Sequence, residues 1–182
     1  MMRAKGSILV DFVKTIRADK SGAYDPYLTP EDKEIISQRI LPSAWYPYET
    51  FRRCFNAVFQ VLAKRDLEQV RKWGRIYGEA IMGSIYKGLI RQGDPLEFVK
   101  KYEIYIRNFF DFGELKIEEE APAQVIIRIR GFDKNFPPLY YMMYGWLERT
   151  LELCGAKNIK VEFLERAWEG GEETKIRISW EF

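Results

Sequence analysis

Up to about Gly113 the apolar residues of this chain recur every three or four positions, and beyond it they alternate. The first spacing lays a stripe along a helix and the second lines one face of a strand. This change of period limits the fold to a helical first part followed by a sheet. Ile8, Leu9, Phe12, Val13 and Ile16 make the first helical stripe, with Ser7 read as its N-cap. Thr29, then Pro30 and Asp32, signal the start of a second helix running to about Ile40. Two prolines make Leu41 to Pro47 an extended link. Phe51, Cys54, Phe55, Val58, Phe59 and Leu62 line the next helix. After Asp66, Leu67, Val70, Gly74, Tyr77, Gly78, Ile81, Ile85 and Leu89 line another. Gly93-Asp94-Pro95 restarts the chain into a helix marked by Leu96, Val99, Tyr102, Ile106 and Phe109 and ending near Gly113.

Beyond that point Leu115 and Ile117 alternate with charges, and after a turn at Ala121 to Ala123 so do Val125, Ile127 and Ile129. A helix follows Phe136, carries Leu139, Met143, Trp146, Leu147, Leu151 and Cys154, and is closed by Gly155. Ile159, Val161 and Phe163, then Ile176, Ile178 and Trp180, form a second hairpin joined near Gly170 and Gly171. The expected fold is α+β: an N-terminal helical layer packed on a four-stranded antiparallel sheet, with a β-β-α-β-β C-terminal half. The length of 182 residues fits a single domain spanning 1–182.

The chain contains no histidine. That removes histidine general bases, His-based triads, histidine-ligated haem and most zinc sites. Cys54 and Cys154 are two lone cysteines, read as small buried hydrophobes rather than a disulfide framework. The net charge of +2 lacks the basic excess of a general nucleic-acid binder, so no nucleic acid is expected as partner. Ile8-Leu9-Val10 is broken by Asp11, which leaves no signal-peptide run, and no stretch reaches the length of a membrane span. A cytoplasmic protein is expected. No Walker motif, Gly-rich phosphate loop after a strand or G-x-S-x-G elbow occurs, and the chain is read as a non-enzyme.

Several groups carry two readings. Trp45-Tyr46-Pro47-Tyr48 is a pocket rim or a staple on the helix that follows. Gly74 and Gly78, one turn apart, mark close approach of another backbone or of a ligand. Arg75 either anchors a carboxylate or phosphate or pairs with Glu79. Phe109-Phe110-Asp111-Phe112 and Tyr140 to Tyr144 are adaptable apolar clusters or plain core. Glu118-Glu119-Glu120 reads as a solvated turn.

Three stretches carry a family resemblance: Lys5-Gly6-Ser7 opening the first helix; Leu41 to Pro47 followed by an amphipathic helix and Trp73 to Gly78; and Leu151 to Lys157 before a hairpin ending in Ile178-Ser179-Trp180. In this order and spacing they resemble a bacterial family first catalogued as myxobacterial paralogues. That family is similar to the four-vinyl-reductase domain and to the ligand-binding fold shared by haem-nitric-oxide sensors and vesicle-tethering TRAPP subunits. The resemblance implies a four-stranded sheet with a helical layer, often dimeric, binding a small and often apolar ligand for sensing or regulation. Haem sensors use an axial histidine, absent here, and the last hairpin lacks the cysteine that many four-vinyl-reductase domains use for zinc. Neither group is therefore expected, and the cofactor expectation is none.

The resulting expectation is a homodimeric sensory or regulatory domain with an apolar small-molecule pocket between helices and sheet. Trp45, Tyr46, Tyr48, Phe55, Trp73, Arg75, Tyr77 and Met143 are its candidate ligand-binding residues. The alternative is a protein–protein module with exposed aromatic faces and no small ligand.

Overall fold

The computed structural model describes residues 1–84 and 94–182. They divide into two compact units: Met1–Asp66 with Arg107–Phe112, and Leu67–Ile106 with Gly113–Phe182. Ile85, Leu89 and Gly93 of the expected pattern lie outside the described residues.

The first unit holds β1 (Arg3–Lys5), α1 (Gly6–Ala18), α2 (Pro30–Ser37), β2 (Trp45–Pro47) and α3 (Tyr48–Val61). Only the end of the expected extended link is a strand: the chain turns at Leu41 to Ala44, whose N–H donates to the Leu41 carbonyl, and β1 and β2 then pair antiparallel, Ala4 opposite Tyr46. Ser7 is not the first cap. The helix begins at Gly6, whose neighbour Lys5 is the cap residue and offers no side-chain bond. Glycine is required at that first helical position, since a Cβ there would stand 2.1 Å from the Leu41 carbonyl oxygen. Thr29 does open α2. Its hydroxyl accepts from the Asp32 N–H while Asp32 reaches back to the Thr29 N–H, a reciprocal capping box.

Asp32 has a second task. It is fully buried, and Arg53 of α3 clasps it through Nε at 2.6 Å and Nη2 at 3.0 Å. One carboxylate thus starts α2 and ties it to α3. Along α3, Phe51, Cys54, Phe55, Val58 and Phe59 are buried as the spacing predicts. Leu62 is not: it caps the helix and is 55% exposed, because the chain turns there into the left-handed residues Lys64 and Arg65.

The second unit holds α4 (Leu67–Ser84), α5 (Pro95–Tyr105), β3 (Glu114–Ala121), β4 (Gln124–Arg130), α6 (Pro137–Leu153), β5 (Lys157–Glu165) and β6 (Thr174–Glu181). The four strands form one antiparallel sheet in the order β3-β4-β6-β5. The alternation is as read: Val125, Ile127, Ile129, Ile176, Ile178 and Trp180 are buried on one face. The other face carries charge, with Arg128 opposite Lys116 and Lys175, and Arg177 opposite Glu162. Glu118, Glu119 and Glu120 are not a solvated turn. They lie in β3, and each has a cation: Arg128 at 3.2 Å, Lys100 at 2.8 Å and Arg177 at 3.1 Å. α5 stops at Tyr105 rather than near Gly113. Its C-terminal side continues as a single 3₁₀ turn, Ile106–Asn108, and Phe110 then bridges to Ala4 in the first unit's strand pair.

α4 and α6 touch backbone to backbone. A Cβ on Gly74 would stand 2.2 Å from the Met142 carbonyl oxygen, and one on Gly145 1.9 Å from the Arg71 carbonyl oxygen. A Cβ on Gly78 would meet Trp146 Cδ1 at 2.5 Å. The close approach read from Gly74 and Gly78 is therefore to a second helix. Gly83, on the same helix, has nothing within 4 Å of its hypothetical Cβ.

Two outcomes follow, both read by urea denaturation. Gly145→Ala destabilises by about 2–3 kcal/mol through overpacking, although alanine is the better helix former, whereas Gly83→Ala is neutral or stabilising by up to about 1 kcal/mol. Asp32→Asn lowers stability by about 2–3 kcal/mol near neutral pH. Burial alone would raise the Asp32 carboxyl, but hydrogen bonds from Arg53, Thr29 and Thr50 outweigh it and hold the group below its usual 3.8. A carboxyl lowered in the folded state stabilises above its unfolded value and loses that contribution as pH falls through the folded one. The gap between wild type and Asp32→Asn therefore narrows below about pH 4.

Candidate ligand site

In the first unit Trp45 and Tyr46 stand on β2, and both are engaged locally. Lys5 Nζ lies 4.2 Å above the Trp45 ring. The Tyr46 hydroxyl accepts the Leu41 N–H at 2.8 Å and so clamps the loop before its own strand. Tyr48 and Phe55 are core residues, 1% and 0% exposed. Phe55 stacks on Phe12 at 4.5 Å, Phe51 meets Phe55 and Phe110 edge-on, and Tyr48 meets Phe112 edge-on at 4.8 Å. The run Phe109 to Phe112 thus contributes to an aromatic core whose members satisfy one another.

In the second unit Trp73, Arg75 and Tyr77 lie half-buried on α4, and Met143 is buried on α6. Arg75 pairs across the helices rather than with Glu79. Its two terminal nitrogens donate to both Glu152 oxygens at 3.0 and 2.9 Å, and it reaches Glu148 at 3.1 Å. Arg71 clasps Glu148 through Nε at 3.0 Å and Nη2 at 2.6 Å. Arg149 joins Glu79 at 3.1 Å and Glu152 at 2.9 Å. The close helix approach thus brings Arg71, Glu148, Arg75, Glu152, Arg149 and Glu79 into one alternating ladder. Burial pushes the Glu152 carboxyl up, and the bonds from Arg75 and Arg149 override it, leaving the group low.

A shallow cleft of about 290 Å³ opens beside this ladder, lined by Lys72, Arg75, Ile76, Glu79 and Arg149. Its walls carry three cations and the Glu79 carboxylate, with Ile76 as the one aliphatic side chain, 68% exposed. Both guanidinium groups are committed to carboxylates, so their charge is spent within the ladder rather than offered to the cleft. Reading the sequence missed Arg71, Glu148, Glu152 and Arg149. A signal was present: Arg71 with Arg75, and Glu148 with Glu152, are like charges four apart, an arrangement that repels on a lone helix and makes sense against an opposite partner.

The residues Tyr140 to Tyr144 separate by exposure. Tyr140 is buried, its hydroxyl donating to the Asp133 carbonyl at 3.1 Å. Tyr141 and Tyr144 are half-exposed and gather with Phe163 and Trp168: Tyr141 stacks on Phe163 at 5.4 Å, and Phe163 meets Trp168 edge-on at 5.5 Å.

This architecture is that of the H-NOX proteins. It matches the H-NOX protein from S. oneidensis in its Fe(II)NO ligation state with a TM-score of 0.70 and 13% identity, over 98% of this chain and 99% of that one. The Fe(II) unliganded H-NOX protein from K. algicida matches at 0.69 and 16%, over 98% and 97%. An oxygen-binding H-NOX domain related to soluble guanylate cyclases matches at 0.66 and 19%, over 98% and 95%. Within that fold, residues 33–181 match the family of proteins of unknown function DUF2378, and the chain belongs to it. No curated protein matches its sequence.

Haem, the group associated with the H-NOX family, does not fit the donors of this chain. There is no histidine to ligate iron. The two thiols are fully buried, and burial pushes Cys54 up to about 12 and Cys154 up to about 11, so both stay protonated at neutral pH and offer no thiolate. Burial likewise holds the Tyr102 phenol well above its ordinary value. Among the described residues no three His, Cys, Asp or Glu side chains converge on a metal-sized site.

The ladder predicts a specific sensitivity. Glu148→Gln leaves Arg71 and Arg75 with a neutral partner in a mostly buried position and lowers unfolding stability by about 2 kcal/mol in urea titrations. The change exceeds that of Glu68→Gln, whose carboxylate meets Arg71 in an exposed position.

Proposed function

We propose that this chain is a non-catalytic, small-ligand-binding sensory or regulatory domain that works as a homodimer in the cytoplasm. The observation that carries the reading is the end-to-end likeness to H-NOX proteins, at least two of which are named for the NO or oxygen bound to them. In this reading the chain keeps the sensor fold, acting as one domain, and has exchanged the ligand. Lack of histidine and protonated thiols favour an organic occupant over haem iron. An aromatic share of 15% favours an apolar one. Kinship with the four-vinyl-reductase domain and with TRAPP subunits belongs to the same proposal, as does a contribution to binding from Trp73, Tyr77 and Met143.

A second reading, a protein–protein module without a small ligand, is favoured by the half-exposed group Tyr141, Tyr144, Phe163 and Trp168. Among the described residues no helix is long and apolar enough to cross a membrane, so in either reading the partners considered are a small molecule, a protein or a second copy.

Native mass spectrometry of the purified chain, followed by organic extraction, separates the two. A stoichiometric organic adduct that extraction releases is the expected result. A clean apo mass, with no displacement among apolar fluorescent probes, overturns the ligand reading and leaves the protein module.

A further inference from the structure

The two edges of the sheet differ. In an antiparallel ladder, opposed residues alternate between pairs that exchange hydrogen bonds and pairs that do not. The Trp180 N–H donates to the Ala123 carbonyl at 3.0 Å, which makes Gln124–Ser179 a non-bonded pair and Val125–Ile178 a bonded one. Ile176 and Ile178 therefore spend their backbone groups on β4, and Arg177 and Ser179 spend theirs on β5. Carried outward, this parity turns Leu115, Ile117 and Glu119 of β3, and Val161 and Phe163 of β5, toward the two free edges.

The β3 edge is closed from within. The Ile117 N–H, one of the groups the parity turns outward, donates to Glu103 Oε1 of α5 at 2.5 Å, and Lys100 of the same helix pairs with Glu119. The run Glu118-Glu119-Glu120 would also face itself with like charge in a second copy. Nothing comparable covers β5 among the described residues. Among the described residues no hydrogen bond reaches the outward N–H groups of Val161 or Phe163, and the side chains of Ile159, Val161 and Phe163 are half-exposed.

The sequence of β5 is complementary to its own reverse about Val161. An antiparallel second copy centred there sets Lys160 opposite Glu162, Ile159 opposite Phe163 and Lys157 opposite Glu165. Parity agrees: Val161 points outward, so Val161 facing Val161 is a hydrogen-bonded pair. Lys160 and Glu162 then fall in non-bonded pairs, where side chains come closest. Lys160 makes no ion pair among the described residues, and Glu162 is 65% exposed beside Arg177. Irregular register at Lys157/Lys160 and at Phe163/Glu165 confines regular pairing to the central run. Phe163 extends this edge into the half-exposed cluster with Tyr141, Tyr144 and Trp168, which supplies the apolar area that backbone pairing alone lacks.

We infer that β5 is the homodimer interface, two copies pairing edge to edge about a two-fold axis at Val161 and joining their sheets into one of eight strands. The inference rests on the homodimer part of the proposed function and names its surface. Each chain has one open edge and one capped edge, so the assembly closes at two copies.

The test is the dimer dissociation constant of the full chain, by analytical ultracentrifugation over a concentration series. Lys160→Glu and Glu162→Lys, made singly, each replace two attractive contacts by two repulsive ones and weaken the dimer by about tenfold or more. The double exchange restores opposite charges and returns the constant to within about threefold of wild type. Val161→Pro removes an outward N–H that no internal bond uses and leaves a monomer with an unchanged far-ultraviolet circular dichroism spectrum. A dimer indifferent to both single changes overturns the β5 interface while homodimerisation stands. A double exchange as weak as the singles overturns the register, and a wild type monomeric at every concentration overturns interface and homodimer together.

Discussion

The contact of α4 with α6 through Gly74, Gly78 and Gly145 sets the rest of the second unit. Glycines let two carbonyl groups stand where side chains normally hold helices apart. The helix-propensity penalty of three glycines, roughly 1 kcal/mol each, is offset by the contacts that proximity permits. With the axes this close, Arg71 and Arg75 reach Glu148 and Glu152 head-on, and each carboxylate receives two or more charge-assisted bonds. Separating the helices by the width of a methyl group would break the packing and the ladder together. The glycines and the charges are thus one feature seen at two radii.

Much of this was legible in the sequence, and the gaps have physical reasons. Thr29 and Asp32 announced a capping box because such a cap needs only residues three apart. The sheet was legible because one face is apolar and the other charged through four strands. Gly74 and Gly78 announced a close approach but not its partner, since Gly145 lies some seventy positions away in a run that reads as aromatic. β1 and β2 were missed because three residues are too few to show a period. Of the candidate ligand residues, Tyr48 and Phe55 proved to be core and Arg75 a member of the ladder. A pocket aromatic and a core aromatic follow the same spacing, and an arginine's partner across two helices leaves no mark at i+4.

Likeness to H-NOX proteins without histidine shows how little a fold commits a chain to one chemistry. The scaffold depends on helix packing, on caps and on an alternating sheet, none of which needs iron. What the chain offers instead is protonated sulfur, buried phenols and paired charges, a set suited to binding and poorly suited to redox ligation.

The first unit is assembled from two stretches of chain, Met1–Asp66 and Arg107–Phe112, and the second stretch is not decorative. Lys5 N–H donates to the Phe109 carbonyl, Ala4 bridges to Phe110, and Asp111 takes both the backbone N–H and the Nε of Arg3. During synthesis the N-terminal strand therefore waits for more than a hundred residues before its last partners leave the ribosome. A fragment ending at Asp66 would carry Tyr48 and Phe51 without the phenylalanines that cover them. Maturation of this half of the molecule is tied to translation of the other, so the chain has no early folding product that is finished on its own.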